Sequence, residues 1–322
     1  MISIEQLKKR LPKDALLSIE SIFSPAIFNS ILLSFREEKP TTFRVNTLKI
    51  DKQSVVCELR KAGFKFSNLE FIDNAFKLSK EESKKLLKTT QAIEGKIYLQ
   101  SISSLLPPLI LNPKEGDRIL DMAASPGSKT TQIAALSSNK AFIDAIEPDF
   151  VRMERLKHNA ELLGAQNINF FQTEGQIFCK NASDFYDKIL LDAPCSGEGR
   201  FSIYDKNSYG NWKIGNVQKL SNLQKKLLKS AVKSVKKGGI IVYSTCTLNI
   251  KENEEVVDSI LREEEFKVKI LPIENKFKNL KESVEPFLNF EEQKFDKSLK
   301  DALRIIPSKD VEGFFICKLV KI

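Results

Sequence analysis

One histidine in 322 residues removes most His-based mechanisms and any His-rich metal site from consideration. Five cysteines, none in a C-x-x-C spacing, argue against a disulfide framework and against a structural zinc. No apolar run approaches membrane-spanning length, and the start M-I-S-I-E-Q-L-K-K-R lacks an apolar signal core. The expectation is a soluble, cytoplasmic, monomeric protein with no metal and no membrane partner. Nucleotide-phosphate signatures are missing too: there is no Walker loop and no G-x-G-x-x-G. The chain also has no internal repeat and no low-complexity run.

What is present is apolar mass and positive charge. Hydrophobic residues make up 42%, enough for a sizeable core, and the length suits two domains. The net charge of +9 is unevenly spread. Tyr204 to Lys237 carries nine lysines against one aspartate, and residues 1–108 carry 18 basic against 12 acidic side chains. Clusters of this kind suit a polyanion, and RNA is the partner they favour. Trp212 and Tyr209, set among those lysines, are candidates for base stacking, with local packing the plainer alternative. His158, between Lys157 and Asn159 in a helical stretch, reads as a surface residue.

Apolar spacing through residues 3–35 predicts two or three helices, broken by Pro40. Thr42 to Leu48 alternates as a strand, Ser54 to Ala62 fits a helix stopped by Gly63, and 64–66 and 70–72 read as short strands. Residues 1–108 are therefore expected to form a helical and α+β module with an RNA-recognition role. Ser101 to Leu111 is apolar but holds Pro107-Pro108, and reads as a hinge to a second domain over 109–322. From Asp117 the pattern alternates strand and helix. Strands are expected at 118–122, 141–146, 168–171 and 188–191, and from Ile240. Helices are expected at 129–136, 150–163, 217–235 and 252–261, and closing strands at 304–306 and 313–319. Such alternation predicts an α/β fold with a doubly wound, mostly parallel sheet.

In open α/β sheets ligands bind beyond the carboxyl ends of strands. The first strand runs into D-M-A-A-S-P-G-S-K-T, whose turn has a single glycine and little room for phosphates. A cofactor with a carboxylate and a nucleoside but no phosphate suits it better, and S-adenosylmethionine is such a molecule. Its carboxylate would meet N–H groups at the start of the next helix. Glu147, ending the second strand, is placed for ribose hydroxyls, and Glu174, after the third, for the adenine amino group. The fourth strand leads into I-L-L-D-A-P-C-S-G-E-G-R-F, which sets Asp192 and Cys195 at its end. A later strand, G-I-I-V-Y-S-T-C-T, ends on Cys246. A single free cysteine is usually a buried core residue, and that reading is given to Cys57, Cys179 and Cys317. Two thiols in loops after apolar strands reverse it for Cys195 and Cys246.

These motifs, with V-Y-S-T-C-T-L-N-I-K-E-N-E and F-R-V-N-T-L-K near the start, resemble the Sun-type (Nol–Nop–Sun) RNA cytosine-5 methyltransferases. The likeness runs from about Arg44 to Val256, with a weaker echo in the final G-F-F. It implies a Rossmann-like class I methyltransferase using S-adenosylmethionine. The cofactor would lie against Ala123, Ala124, Ser125, Pro126, Gly127, Ser128 and Lys129, with Glu147, Arg152, Glu174 and Asp192. Cys246 would be the nucleophile and Cys195 the residue that helps release product. The chain departs from the family pattern at Glu174, where aspartate is usual. It departs again after Gly199, where R-F-S-I-Y-D replaces an Arg-Lys-x-Pro-like run.

The chemistry explains the residue types. Carbon 5 of cytosine is a poor nucleophile until a thiolate adds to carbon 6. A thiol with a pKa of about 8.5 needs positive charge nearby to ionise, and Lys129 is the candidate. Asp192 facing ring nitrogen 3 requires a proton on one or the other, which burial at a strand end would favour on the carboxyl. The target base must be unstacked, in a loop or by extrusion. The alternatives are an RNA-binding or ribosome-assembly factor without catalysis, and an amino methyltransferase. The first would not need Cys246, Cys195 and Asp192 together; the second expects N/D-P-P-Y/F where this chain has D-A-P-C. The RNA would be ribosomal or transfer RNA, with a lean to ribosomal.

Overall fold

The computed structural model describes residues 3–322, so the first two residues of the leading segment read above lie outside it. Three helices lead in: α1 (Ile4–Arg10), α2 (Lys13–Ile22) and α3 (Pro25–Phe35). Ser3 and Gln6 cap α1 reciprocally, and Pro25 opens α3, where its missing N–H costs nothing. Then come β1 (Thr41–Val45), α4 (Lys52–Lys61), β2 (Phe66–Leu69), β3 (Ile72–Leu78), α5 (Lys80–Leu86), α6 (Thr90–Ile93) and β4 (Ile97–Leu99). The four strands form an antiparallel sheet in the order β2-β3-β1-β4. Its core is aromatic, with Phe43, Phe66 and Phe76 mutually in contact at centroid distances of 5.2, 5.3 and 5.8 Å.

The lead-in helices do not join that core. Leu7, Ile19, Ile31 and Phe35 pack against Phe201, Tyr209 and Leu248, which come from the far end of the chain. Residues 1–108 thus feed three separate cores, the third receiving Leu69, Ile72 and Ala75. Tyr209 is buried among the lead-in helices, and the Trp212 indole packs alongside and donates to Glu198 at 2.8 Å, so packing, the plainer of the two readings, takes both rings.

Ser101 to Leu111 is not a hinge. It forms α7 (Ile102–Leu111), with eight of ten residues buried. Pro107 and Pro108 delete the helix bonds to the Ser103 and Ser104 carbonyls. Gln100 replaces one of them, its Nε2 donating to the Ser104 carbonyl at 2.9 Å. Leu105, Leu106 and Ile110 join a core with Ile119, Leu190 and Val242, and that burial holds the helix despite the prolines.

The remainder alternates as the sequence predicts: β5 (Arg118–Asp121), α8 (Ser128–Leu136), β6 (Phe142–Ile146), α9 (Phe150–Leu162), β7 (Ile168–Phe171), α10 (Gly175–Phe178), β8 (Tyr186–Asp192), α11 (Ile214–Ser234), β9 (Val235–Thr245) and α12 (Glu254–Leu261). The tail adds β10 (Val268–Leu271), α13 (Asn275–Lys278), β11 (Ser283–Val284), a hairpin of β12 (Asn289–Phe290) and β13 (Gln293–Lys294), β14 (Leu303–Ile305) and β15 (Phe314–Lys321). The large sheet runs β11-β14-β15-β9-β8-β5-β6-β7, with β10 also pairing β15. Strands β5 to β9 are parallel and β15 is antiparallel to β9. Ile189, Leu191, Ile241 and Tyr243 enter the core shared with α11 and α12. Leu190 and Val242 enter the core shared with α7. Burial on both faces is why β8 and β9 read as unbroken apolar runs.

The lysine-rich stretch is less free than its composition implies. Lys225, Lys229, Lys233 and Lys236 are ion-paired with Glu255, Glu263, Glu265 and Asp187, all outside the stretch. His158 is exposed, as expected, but so is Cys57, on the outer side of α4; only Cys179 and Cys317 are core thiols. Among the described residues no helix is long and apolar enough to cross a membrane.

Candidate active site

β8 lies between β5 and β9, and the ends of these strands assemble the site. Asp192 ends β8 opposite Ser244 of β9, so Cys195 and Cys246 leave adjacent strands side by side. Their sulfurs are 3.2 Å apart, both free, and the Cys246 N–H donates to the Cys195 sulfur at 3.3 Å. Gly199 fixes the crossing of the two loops. Its N–H donates to the Cys246 carbonyl at 3.0 Å, and a Cβ there would sit 2.7 Å from that oxygen, so only glycine fits.

A cleft of about 670 Å³ opens beside the sulfurs. Its wall contains ten of the expected site residues: Ala123, Ala124, Ser125, Pro126, Ser128, Lys129, Arg152, Asp192, Cys195 and Cys246. Gly127 is not on the wall. It caps α8 at φ +101°, a conformation that turns the chain into the helix. Glu147 and Glu174 are not on the wall either. Glu147 is buried at the end of β6, accepting from the Asp149 N–H at 3.0 Å and pairing with Arg152 at 3.2 Å. Arg152 also donates to the Ser125 carbonyl at 3.3 Å, which ties that carboxylate to the turn. Glu174 is exposed at the start of α10 and bonds Gln176.

A second hollow, of about 510 Å³, lies on the other side of the sulfurs. Lys39, Ser196, Gly197, Tyr204 and Asn207 contribute to it. It shares four residues with the cleft: Cys195, Arg200, Cys246 and Glu312.

Lys129 faces the cleft, but its ammonium is bonded to Asp192 at 2.6 Å and to the Ser104 hydroxyl at 2.9 Å rather than to a thiol. Ser244 donates to the other Asp192 oxygen at 2.7 Å. Both oxygens of Asp192 therefore accept. Asp121, one strand over, is different. Burial pushes its carboxyl up to about 6 against the opposing Thr130 hydrogen bond, and its Oδ1 is buried without a hydrogen-bond partner.

The two sulfurs are not equivalent. The hydrogen bond shared with Cys246, then burial, then the charges of Cys246 and Glu252, push the Cys195 thiol well up. Beneath its loop lie two buried acids, Glu198 and Glu252, joined through the Ser196 hydroxyl. The Ser196 N–H and the Gln224 amide also donate to Glu252, at 3.0 and 2.8 Å.

Sequence reasoning did not single out Asp121, Ser104, Ser244, Arg200 or Glu312 as site residues. Asp121 carries the same signal as Asp192, an acid ending an apolar strand. The other four reach the site from loops, helices or strand faces that no local pattern marks.

A family model described as "16S rRNA methyltransferase RsmB/F" matches residues 108–320. The chain belongs to that family. A second model, the RsmF/B-like ferredoxin-like domain, matches residues 24–83 of this RsmB/F chain. Proteins named ribosomal RNA small subunit methyltransferase F are similar throughout. That of Aeromonas salmonicida is 33% identical over 91% of this chain and 60% of its own length. That of Vibrio atlanticus is 33% identical over 97% of this chain and 64% of its own. The chain thus spans less than two thirds of these relatives. Among solved structures, a methyltransferase homologue from Pyrococcus horikoshii is 32% identical, with a TM-score of 0.79, covering 98% of this chain and 99% of that one. NSun6 from Pyrococcus horikoshii, at 23% identity and TM-score 0.81, covers 98% of this chain and 99% of its own and shares the fold. Both confirm the Rossmann-like class I methyltransferase architecture expected from the motifs.

Proposed function

We propose that this RsmB/F chain transfers a methyl group from S-adenosylmethionine to carbon 5 of a cytosine in RNA, through a covalent bond between Cys246 and the base. The observation that carries the reading is the Cys195–Cys246 pair, 3.2 Å apart on the wall of a cleft that also holds the Ala123–Lys129 turn. Ribosomal RNA is favoured over transfer RNA because the relatives bear ribosomal names.

The residues fit the cofactor. The N-terminus of α8 offers N–H groups without helix partners to a carboxylate. The unpartnered Asp121 oxygen, buried at the cleft, suits an ammonium. Arg152 and Glu147 stiffen the turn between them, and Glu174 is left as a distant contact. The cofactor supplies an electrophilic methyl on a sulfonium.

Cys246, as thiolate, adds to carbon 6 and makes carbon 5 nucleophilic. Asp192, held by Lys129 and Ser244, faces ring nitrogen 3, and a proton shared between carboxyl and ring offsets the charge created on the ring. Once carbon 5 carries the methyl, solvent water takes the carbon 5 proton, the C–H pair forms the carbon 5–carbon 6 double bond, and the carbon 6–sulfur pair returns to Cys246 as thiolate. Cys195, 3.2 Å from that sulfur, is placed to hydrogen-bond the departing thiolate.

The test is adduct trapping. The full chain carrying Cys195→Ala, incubated with S-adenosylmethionine and small-subunit ribosomal RNA, should give a protein–RNA band on a denaturing gel. Adding Cys246→Ala should abolish the band. A band that survives without Cys246, or a methyl mapped by mass spectrometry to a position other than carbon 5, overturns the reading.

A further inference from the structure

A thiolate nucleophile needs a cation, and the lysine expected to supply it is committed to Asp192 and Ser104. Lys39, across the second hollow, answers to Glu312 and Glu37 and is drawn down by burial. We propose that Arg200 is the cation that holds Cys246 as a thiolate, which makes it a catalytic residue of the reaction read above. The inference rests on that reading only in taking Cys246 as the nucleophile.

The backbone sets the arrangement. Gly199 bonds the Cys246 carbonyl through its N–H, and its own carbonyl accepts from the Gly313 N–H at 2.8 Å. The Arg200 N–H donates to the Gly197 carbonyl at 3.0 Å, closing a tight turn. Arg200 is therefore anchored one residue from a contact to Cys246 itself. Its side chain lies on the wall of both cavities, as does Cys246. The charge of that sulfur, then Glu312 against the effect of burial, raises the guanidinium above its usual value. Glu312 Oε1 lies 3.9 Å from Arg200 Nε. That carboxylate orients the fork without neutralising it at contact distance. Cys195 is the other sulfur in reach, and the hydrogen bond it shares with Cys246, then burial, push its thiol well up.

Arginine suits this task. It is always charged and offers five donors, so a bond to sulfur leaves others for a phosphate or base oxygen. Here it comes with the R-F-S-I-Y-D run, where the chain leaves the family pattern.

The Arg200 side chain is 61% exposed, so water screens the pair. The expected effect is about three- to tenfold in thiolate reactivity, short of what a dry pair would give. The measurement is alkylation of Cys246 by iodoacetamide at pH 7, in the full chain with Cys195→Ser, resolved by peptide mass spectrometry. Exposed Cys57 serves as the internal reference. Arg200→Met should slow Cys246 about three- to tenfold relative to Cys57, and Arg200→Lys should restore most of the rate. High salt should slow the parent and leave Arg200→Met unchanged. Equal rates in parent and Arg200→Met, or an Arg200→Lys protein as slow as Arg200→Met, overturn the proposal. If Arg200→Met does not fold by thermal melting, Arg200→Gln replaces it under the same criteria. RNA and S-adenosylmethionine are absent from this assay. A flat result here leaves the adduct experiment standing, and a missing adduct leaves this one standing.

Discussion

Replacing Glu252 by glutamine should remove much of the chain's pH-dependent instability between pH 5 and 8. Glu252 and Glu198 are fully buried and share the Ser196 hydroxyl. Burial first, then the charge of Glu198, lift the Glu252 carboxyl from 4.5 to about 7. A carboxyl raised in the folded state keeps its proton where the unfolded chain has already released one. The stabilisation is complete below about pH 4.5 and is lost as pH climbs through about 7. At about 1.4 kcal/mol per tenfold in proton affinity, that interval is worth about 3 kcal/mol. Glutamine cannot ionise, yet its carbonyl still accepts from Ser196 and Gln224, and its amide can donate to Glu198. Urea unfolding at pH 5 and pH 8 should show the wild-type protein losing about 2.5 kcal/mol more than Glu252→Gln between those two values. Two stability profiles that fall in parallel would refute the assignment of the proton to this pair.

Two further outcomes follow from the same geometry. Arg304→Met should cost about 3–5 kcal/mol in chemical denaturation, because it strands the buried Glu254 carboxylate that Arg304 Nε meets at 2.9 Å; a cost under about 1 kcal/mol would contradict this. Gly127→Ala should weaken S-adenosylmethionine binding in calorimetry and cost about 1–3 kcal/mol, since alanine resists φ +101° and its Cβ would meet Leu156 Cδ1 at 3.0 Å; undiminished binding would remove Gly127 from the cofactor turn.

Much of the site was legible because it sits at strand ends. Unbroken apolar runs marked β8 and β9, and each hands its next residues to the cleft, so Asp192, Cys195 and Cys246 could be named from the chain alone. Asp121 carried the same mark and needed only to be read the same way. Arg200 lay in the quoted run five residues after Cys195 but carried no strand-end mark, and Glu312 could not be found locally, because it approaches the sulfurs from a loop far from both cysteines in sequence. The prolines of α7 misled for a physical reason. Gln100 supplies a hydrogen bond that no propensity includes, and the sheet supplies the burial. The lysines of α11 misled by composition, since four of them spend their charge on acids elsewhere in the chain.

The two hollows meet along a partition of four side chains, two of them thiols. Both sulfurs line both hollows, so a group bound in either lies against the same two thiols.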